Sequence, residues 1–208
     1  MAKSQIIKDL ANNSIDIETG LKRLLVISSN LDNNRFQNWV IKELNGYRAA
    51  DELPAYRKNV STIIRYTGIN GRMQVTNQPL PTGFIPESFH EEIEAIKTIN
   101  ESVKALQEIV ENRKAKMGKD LTMLAGAVFN ESGIQCANIF MEFSLLSYVE
   151  VLTNVNTKLL TVFLELEKEF GLLDDLDINV TSKSKEELIN INKKIENVVY
   201  YNDMEEGL

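Results

Sequence analysis

The spacing of apolar residues changes character near the middle of this chain, and that change limits what it can fold into. In VSTIIRYT, Val60, Thr62, Ile64 and Tyr66 alternate with Ser61, Ile63, Arg65 and Thr67, the two-residue period of a strand. Asn70-Gly71 separates this run from RMQVT. An Asn-Gly pair between strand-type runs is the strongest short hairpin signal, with both turn positions expected at positive φ. The stretch Gln78 to Pro86 holds three of the four prolines and reads as a connector, because proline interrupts a ladder.

On either side the period is helical. After a short amphipathic segment around Ile6 to Leu10, Asp16 is placed to cap a helix carrying Ile17, Leu21, Leu24, Leu25 and Ser28 on one face. Asn33 and Asn34 mark a turn, Phe36, Trp39, Val40, Leu44 and Tyr47 recur at three- and four-residue steps, and Gly46 follows the last turn as a helix stop. Together these predict an N-terminal helical hairpin. A long helix is expected from Pro86 or Ser88 to about Lys116, with Ser88 and Glu91 spaced as a capping box. Its seam is Ile96, Ile99, Val103, Leu106 and Val110, two heptads that make these residues candidates for an oligomer interface. A second long helix, about 145 to 170, carries Val149, Leu152, Asn156, Leu159, Phe163, Leu166 and Phe170, widened by Tyr148, Val151, Val155 and Val162. Between the two, Leu121, Leu124 and Val128 fit a short helix and IQCANIFMEF a strand. A last helix is expected from a capping box at Ser184 and Glu187, with Leu188, Ile191 and Ile195 inward. The expectation is an α+β fold, mainly α: a helical hairpin, a small antiparallel β-sheet and two long packed helices.

Charge divides the chain unevenly. Of a net −7, residues 171–208 hold nine acids against four lysines, whereas 1–170 are nearly neutral with 21 acids and 19 bases. This predicts a main domain over 1–170 and an acidic extension over 171–208. The acidic balance argues against a protein that coats nucleic acid. Cys136 is the single cysteine, so no internal disulfide can form, and no uncharged run reaches the roughly 18 residues of a membrane span. The start MAKSQIIKDL lacks a basic-then-apolar leader, and a cytoplasmic location is expected.

The chemistry-bearing residues are sparse. His90 is the only histidine and sits beside Glu91 and Glu92 at an expected helix start, a poor place for the base of a hydrolytic triad. One Cys and one His cannot close a structural zinc site, and neither GxxxxGKS/T nor GxGxxG occurs. No metal and no cofactor are therefore expected. The helical-ribonuclease pattern, an Arg separated from His by four to six residues, would need Arg at 83 to 85, which are Gly83, Phe84 and Ile85. The acidic group Asp174, Asp175 and Asp177 reads as a solvated loop. The basic run Arg113, Lys114, Lys116 and Lys119 reads as cations at a helix end.

The most distinctive stretch is WVIKELNGYRAADELPAYR, residues 39–57. Its pattern, WxxxELxGY followed by LPxYR, resembles the AbiTii domain of bacterial abortive-infection proteins, as do IETGLKRLLVISSNL before it and YVEVLTNVNTKLLTVFLELEKEFG after it. The resemblance covers roughly residues 4 to 170. One departure is Asn156, where a basic residue is expected soon after Val155; Lys158 is the nearest substitute. The resemblance implies a phage-defence context for an effector or accessory module, without a settled reaction. Glu43, Tyr47, Tyr56 and Arg57 are the candidate partner- or ligand-binding residues, with a Glu43–Arg57 pair flanked by the two tyrosines. Because no catalytic constellation stands out, the leading expectation is self-association or binding of a protein partner, as a homo-oligomer or with another product of a defence operon. The alternative is an enzymatic toxin acting on nucleic acid or nucleotide through Glu43, Tyr56 and Arg57. A third is a membrane-active effector using the weakly charged segment 121–141.

Overall fold

The computed structural model describes residues 3–112 and 117–201. Within these, helices α1 (Gln5–Ala11), α2 (Ile17–Ser28) and α3 (Asn34–Asn45) precede a hairpin of β1 (Thr62–Asn70) and β2 (Met73–Pro79). There follow α4 (His90–Ala95), α5 (Val103–Glu111), β3 (Gly118–Asp120), α6 (Ala125–Ser132), β4 (Gln135–Phe143), α7 (Leu145–Phe170) and α8 (Lys185–Tyr200). The class is α+β and mainly helical, with one small antiparallel sheet. The chain forms two compact units: Met1–Tyr56, Asn100–Glu108 and Val149–Leu208 make the first, and Arg57–Ile99 with Ile109–Tyr148 make the second.

The first unit is helical. Asp16 caps α2 by accepting from the Thr19 amide, Asn33 caps α3 by accepting from the Phe36 amide, and the Gly46 amide closes α3 onto the Lys42 carbonyl. α2 and α3 pack as the expected hairpin. The buried stripe of α7 within this unit is Val151, Val155, Leu159, Val162, Phe163 and Leu166. Residues expected only to widen the face lie at its centre, whereas Val149 is 39% exposed. α2 approaches this stripe at Gly20, where an added Cβ would stand 2.7 Å from Leu159. From Gly171 to Tyr201 the described residues stay in this unit. The Leu173 amide donates to the Ser4 hydroxyl, and α8 starts at the Ser184/Glu187 capping box and buries Ile191, Ile195, Val198 and Val199. Burying four such side chains contributes several kcal/mol, at about 1.5–3 each.

The second unit holds the sheet, in the order β2-β1-β4-β3. Asn70 pairs with Met73, so the hairpin loop is Gly71-Arg72 and only Gly71 has positive φ, at 62°. The expected Asn-Gly turn is thus displaced by one residue, because Asn70 extends the ladder and leaves glycine in the first turn position, as in a II′ turn. The expected connector also begins later, since Pro79 still pairs with Arg65; an edge strand tolerates a proline whose missing N–H would face outward. The helix expected from 86 or 88 to 116 is divided. α4 ends at Ala95, Thr98 and Ile99 are non-helical, and α5 starts only at Val103. The backbone amide of Ile99 donates to Arg57 O and that of Val60 to Lys97 O, bonds that take the segment out of helical register. The Ser88/Glu91 capping box does not form, because α4 follows directly on a 3-10 turn over Glu87–Phe89. β4 forms where expected, whereas β3, three residues long, went unforeseen.

Candidate functional site

The residues singled out by the WxxxELxGY pattern meet in the first unit. Helical spacing puts Trp39 and Glu43 one turn apart on the buried face of α3, and both are essentially inaccessible at 1% and 0% exposure. The loop after Gly46 then returns Tyr47 and Tyr56 to them. Both tyrosine hydroxyls donate to the same Glu43 oxygen, Oε1, at 2.7 Å from Tyr47 and 2.6 Å from Tyr56. The Tyr56 hydroxyl in turn accepts from Trp39 Nε1 at 2.9 Å. The loop is fixed at its other end by the Tyr47 amide, which donates to Asn100 O at 2.8 Å.

Lys158 completes the group. Its ammonium donates to Val198 O of α8 at 3.1 Å and lies 5.5 Å from the centre of the Tyr56 ring, within reach of a cation–π contact. Lys158 follows Val155 by three residues and precedes Val162 by four, so the sequence does carry a sign of its place: a lysine inside an otherwise apolar stripe. Asn156 is half-buried on α7.

Burial pushes the Tyr56 phenol well above its ordinary value of 10, and the neighbouring Glu43 and Tyr47 push it further the same way. The folded state thus holds the Tyr56 proton more tightly than the unfolded chain does. Its share of stability is complete below pH 10 and declines as the pH rises above that value.

Arg57, the next residue along, belongs to the second unit. It is completely buried, and its guanidinium donates to Ile99 O at 3.0 Å while its own carbonyl accepts from the Ile99 amide at 3.0 Å. Of the interface candidates, Ile99, Val103 and Leu106 are fully buried within the chain itself, and Ile96 and Val110 are half-buried. His90 is half-buried, with Nε2 2.9 Å from Ile85 O; a carbonyl only accepts, so this nitrogen carries the proton. Lys119 donates to Thr98, whereas Arg113, Lys114 and Lys116 lie outside the described residues. Asp174 accepts from the Gln5 amide, and Asp177 from Asn30 and the Ile178 amide. Among the described residues no three His, Cys, Asp or Glu side chains are grouped to hold a metal ion, and no helix is long and apolar enough to cross a membrane.

Each unit also has a hollow. In the first, a cleft of about 130 Å³ is lined by Arg35, Trp39, Lys42, Tyr47, Pro54 and Tyr200 among others. Arg35 already lies 4.1 Å over the Tyr200 ring and bonds the Tyr201 hydroxyl at 3.0 Å. Burial raises the Tyr200 phenol to about 12. In the second unit, a cavity of about 520 Å³ lies against Ile64, Leu80, Ile85 and Ile93, with His90 and Lys97 also lining it.

The protein is thus of the α+β class, mainly helical, with a buried cluster of Trp39, Glu43, Tyr47 and Tyr56. The chain belongs to the AbiTii family, whose match runs over residues 4–192. Membership indicates an abortive-infection role, in defence against phage. No curated protein and no solved structure matches the chain.

Proposed function

We propose that this protein is a defence module that works by self-association or by binding a protein partner, and that the Glu43 cluster is the scaffold of the module instead of a reaction centre. The observation that carries this reading is the way the cluster uses its own groups. Glu43 has no exposed surface, and its Oε1 accepts from two tyrosines, one of which also accepts from Trp39. A general base has to come within hydrogen-bond reach of a substrate proton. Here Glu43 Oε1 is held by the Tyr47 and Tyr56 hydroxyls, an arrangement that pins the 46–56 loop to α3.

Such a network is a stability device. A buried polar group left without its partner costs about 1–3 kcal/mol, so the four side chains specify a single position for the loop. The residues left for recognition are those around the cluster, such as Glu52 and Ala55, which are exposed.

The experiment is light scattering on the purified protein, alone and mixed with the products of neighbouring genes. Assembly of the chain, or a stoichiometric complex with one of those products, is the expected result. A strictly monomeric chain that engages none of them contradicts the proposal. Glu43→Gln separates it from the enzymatic alternative: loss of a measurable turnover in a variant that folds as stably as the parent would establish the enzyme.

A further inference from the structure

The two edges of the sheet are protected very differently. The β3 edge is three residues long and carries Lys119 and Asp120, the short, charged form by which proteins discourage strand addition. The β2 edge has neither defence. β2 lies outermost in the order β2-β1-β4-β3, and six of its seven residues are exposed. It opens the run Met73 to Pro86, which contains no charged residue and is the longest such stretch in the chain.

The register shows which backbone groups of β2 are open. Asn70 and Met73 flank the two-residue loop and form a hydrogen-bonded pair, so the next pair, Ile69 and Gln74, is of the non-bonded kind. The N–H and C=O of Gln74 therefore point away from β1. The register shift then sets Thr76 and Asn77 opposite Thr67. The Asn77 amide donates to the Thr67 hydroxyl and its carbonyl accepts from Arg65, so Asn77 faces β1 and Thr76, by alternation, faces outward. Asn77 at φ 55° and Pro79 end the open segment. What remains is a short ladder from Met73 to Thr76, flanked by exposed Ile69 and Met73.

We propose that this edge joins two copies of the chain, β2 pairing antiparallel with β2 of the second copy so that Gln74 of one faces Thr76 of the other. The proposal rests on the self-association branch of the functional reading and gives it a surface. A second copy is an occupant that the charge distribution admits. The excess of acids lies in residues 171–208, where nine stand against four lysines, and a contact through the uncharged strand Met73 to Thr76 brings no like charges together. The symmetry fits as well: in antiparallel pairing about a two-fold axis near Val75, each copy offers the same donors and acceptors that it receives.

Sedimentation equilibrium of the full chain over a range of concentrations tests this, comparing wild type with the double variant Gln74→Lys/Thr76→Lys. Wild type is expected to rise from 23.6 kDa toward twice that mass. The variant, which sets lysines against each other across the axis, should associate about tenfold more weakly or not at all. Hydrogen exchange on wild type is the second measurement: the Gln74 and Thr76 amides should exchange more slowly as concentration increases. A variant that associates like wild type, exchange at those amides that ignores concentration, or a wild type that stays monomeric throughout would each overturn the proposal. Phage plating separates it from the functional reading. A monomeric variant that still protects its host sustains the edge as the contact but removes self-association as the mechanism. A variant that assembles and protects removes the edge and leaves the mechanism standing.

Discussion

The two units put their polar groups to opposite uses. In the helical unit Glu43, Tyr47, Tyr56 and Lys158 are turned inward and bonded within the chain. In the sheet unit the backbone of β2 is left open at an exposed, uncharged edge. On the reading proposed above, residue types with catalytic potential serve to hold a loop, and the proposed contact between copies is made where the side chains are chemically plain. Reactivity inferred from residue type has to be weighed against what the fold already asks of the same atoms.

The contrast can be broken at its strongest point first. Trp39→Ala removes a fully buried indole and the donor to Tyr56, and should cost about 4 kcal/mol in urea unfolding. A loss under about 1 kcal/mol would mean that the cluster does not organise the helical unit. In the sheet unit the corresponding weak point is Gly68, where an added Cβ would stand 2.0 Å from Gln135 O across the β1–β4 ladder. Gly68→Ala should cost about 2 kcal/mol by forcing the strands apart, visible as a lower urea midpoint.

Glu167 sharpens the comparison through pH. Burial works to raise its pKa, but hydrogen bonds from Lys3, the Ser4 amide and the Ser4 hydroxyl outweigh it and hold the group at about 2 against an ordinary 4.5. The folded-state value is depressed, so the stabilisation is present above pH 4.5 and is lost as the pH falls toward 2. Because Lys3 is half exposed, solvent screening reduces the effect to about 1 kcal/mol. Glu167→Gln should remove that part of the acid dependence of unfolding and leave stability at pH 2 nearly unchanged. Smallest of all, Gln74→Lys/Thr76→Lys should alter the folding stability of the isolated chain by under about 0.5 kcal/mol, as thermal unfolding at low concentration would show. A larger loss would mean that the β2 edge is part of the folding core.

Much of this was legible in advance. Alternation in VSTIIRYT, the caps at Asp16 and Ser184, and the stop at Gly46 are local signals, and each element formed where its signal stood. The family pattern brought Glu43, Tyr47 and Tyr56 together, because Trp39 and Glu43 share a helix face and Gly46 lets the chain turn back. The failures are non-local. Ile96 to Val110 keep a heptad spacing, yet backbone bonds from Val60 to Lys97 and between Ile99 and Arg57 divide the helix, and partners so distant in sequence leave no trace in its periodicity. β3 is too short for alternation to register. Lys158 was visible only as a lysine in an apolar stripe, since its acceptor, Val198 O, is a backbone group that side-chain identity does not reveal.

On the proposed reading Glu43 ties the 46–56 loop to α3 through the Tyr47 and Tyr56 hydroxyls. The direct measurement is the unfolding free energy of Glu43→Gln in urea. An amide oxygen is the weaker acceptor for the two tyrosine hydroxyls, and the new NH₂ places a donor where an acceptor stood, so a loss of about 2 kcal/mol is expected. A variant that unfolds at the same free energy as wild type would contradict it.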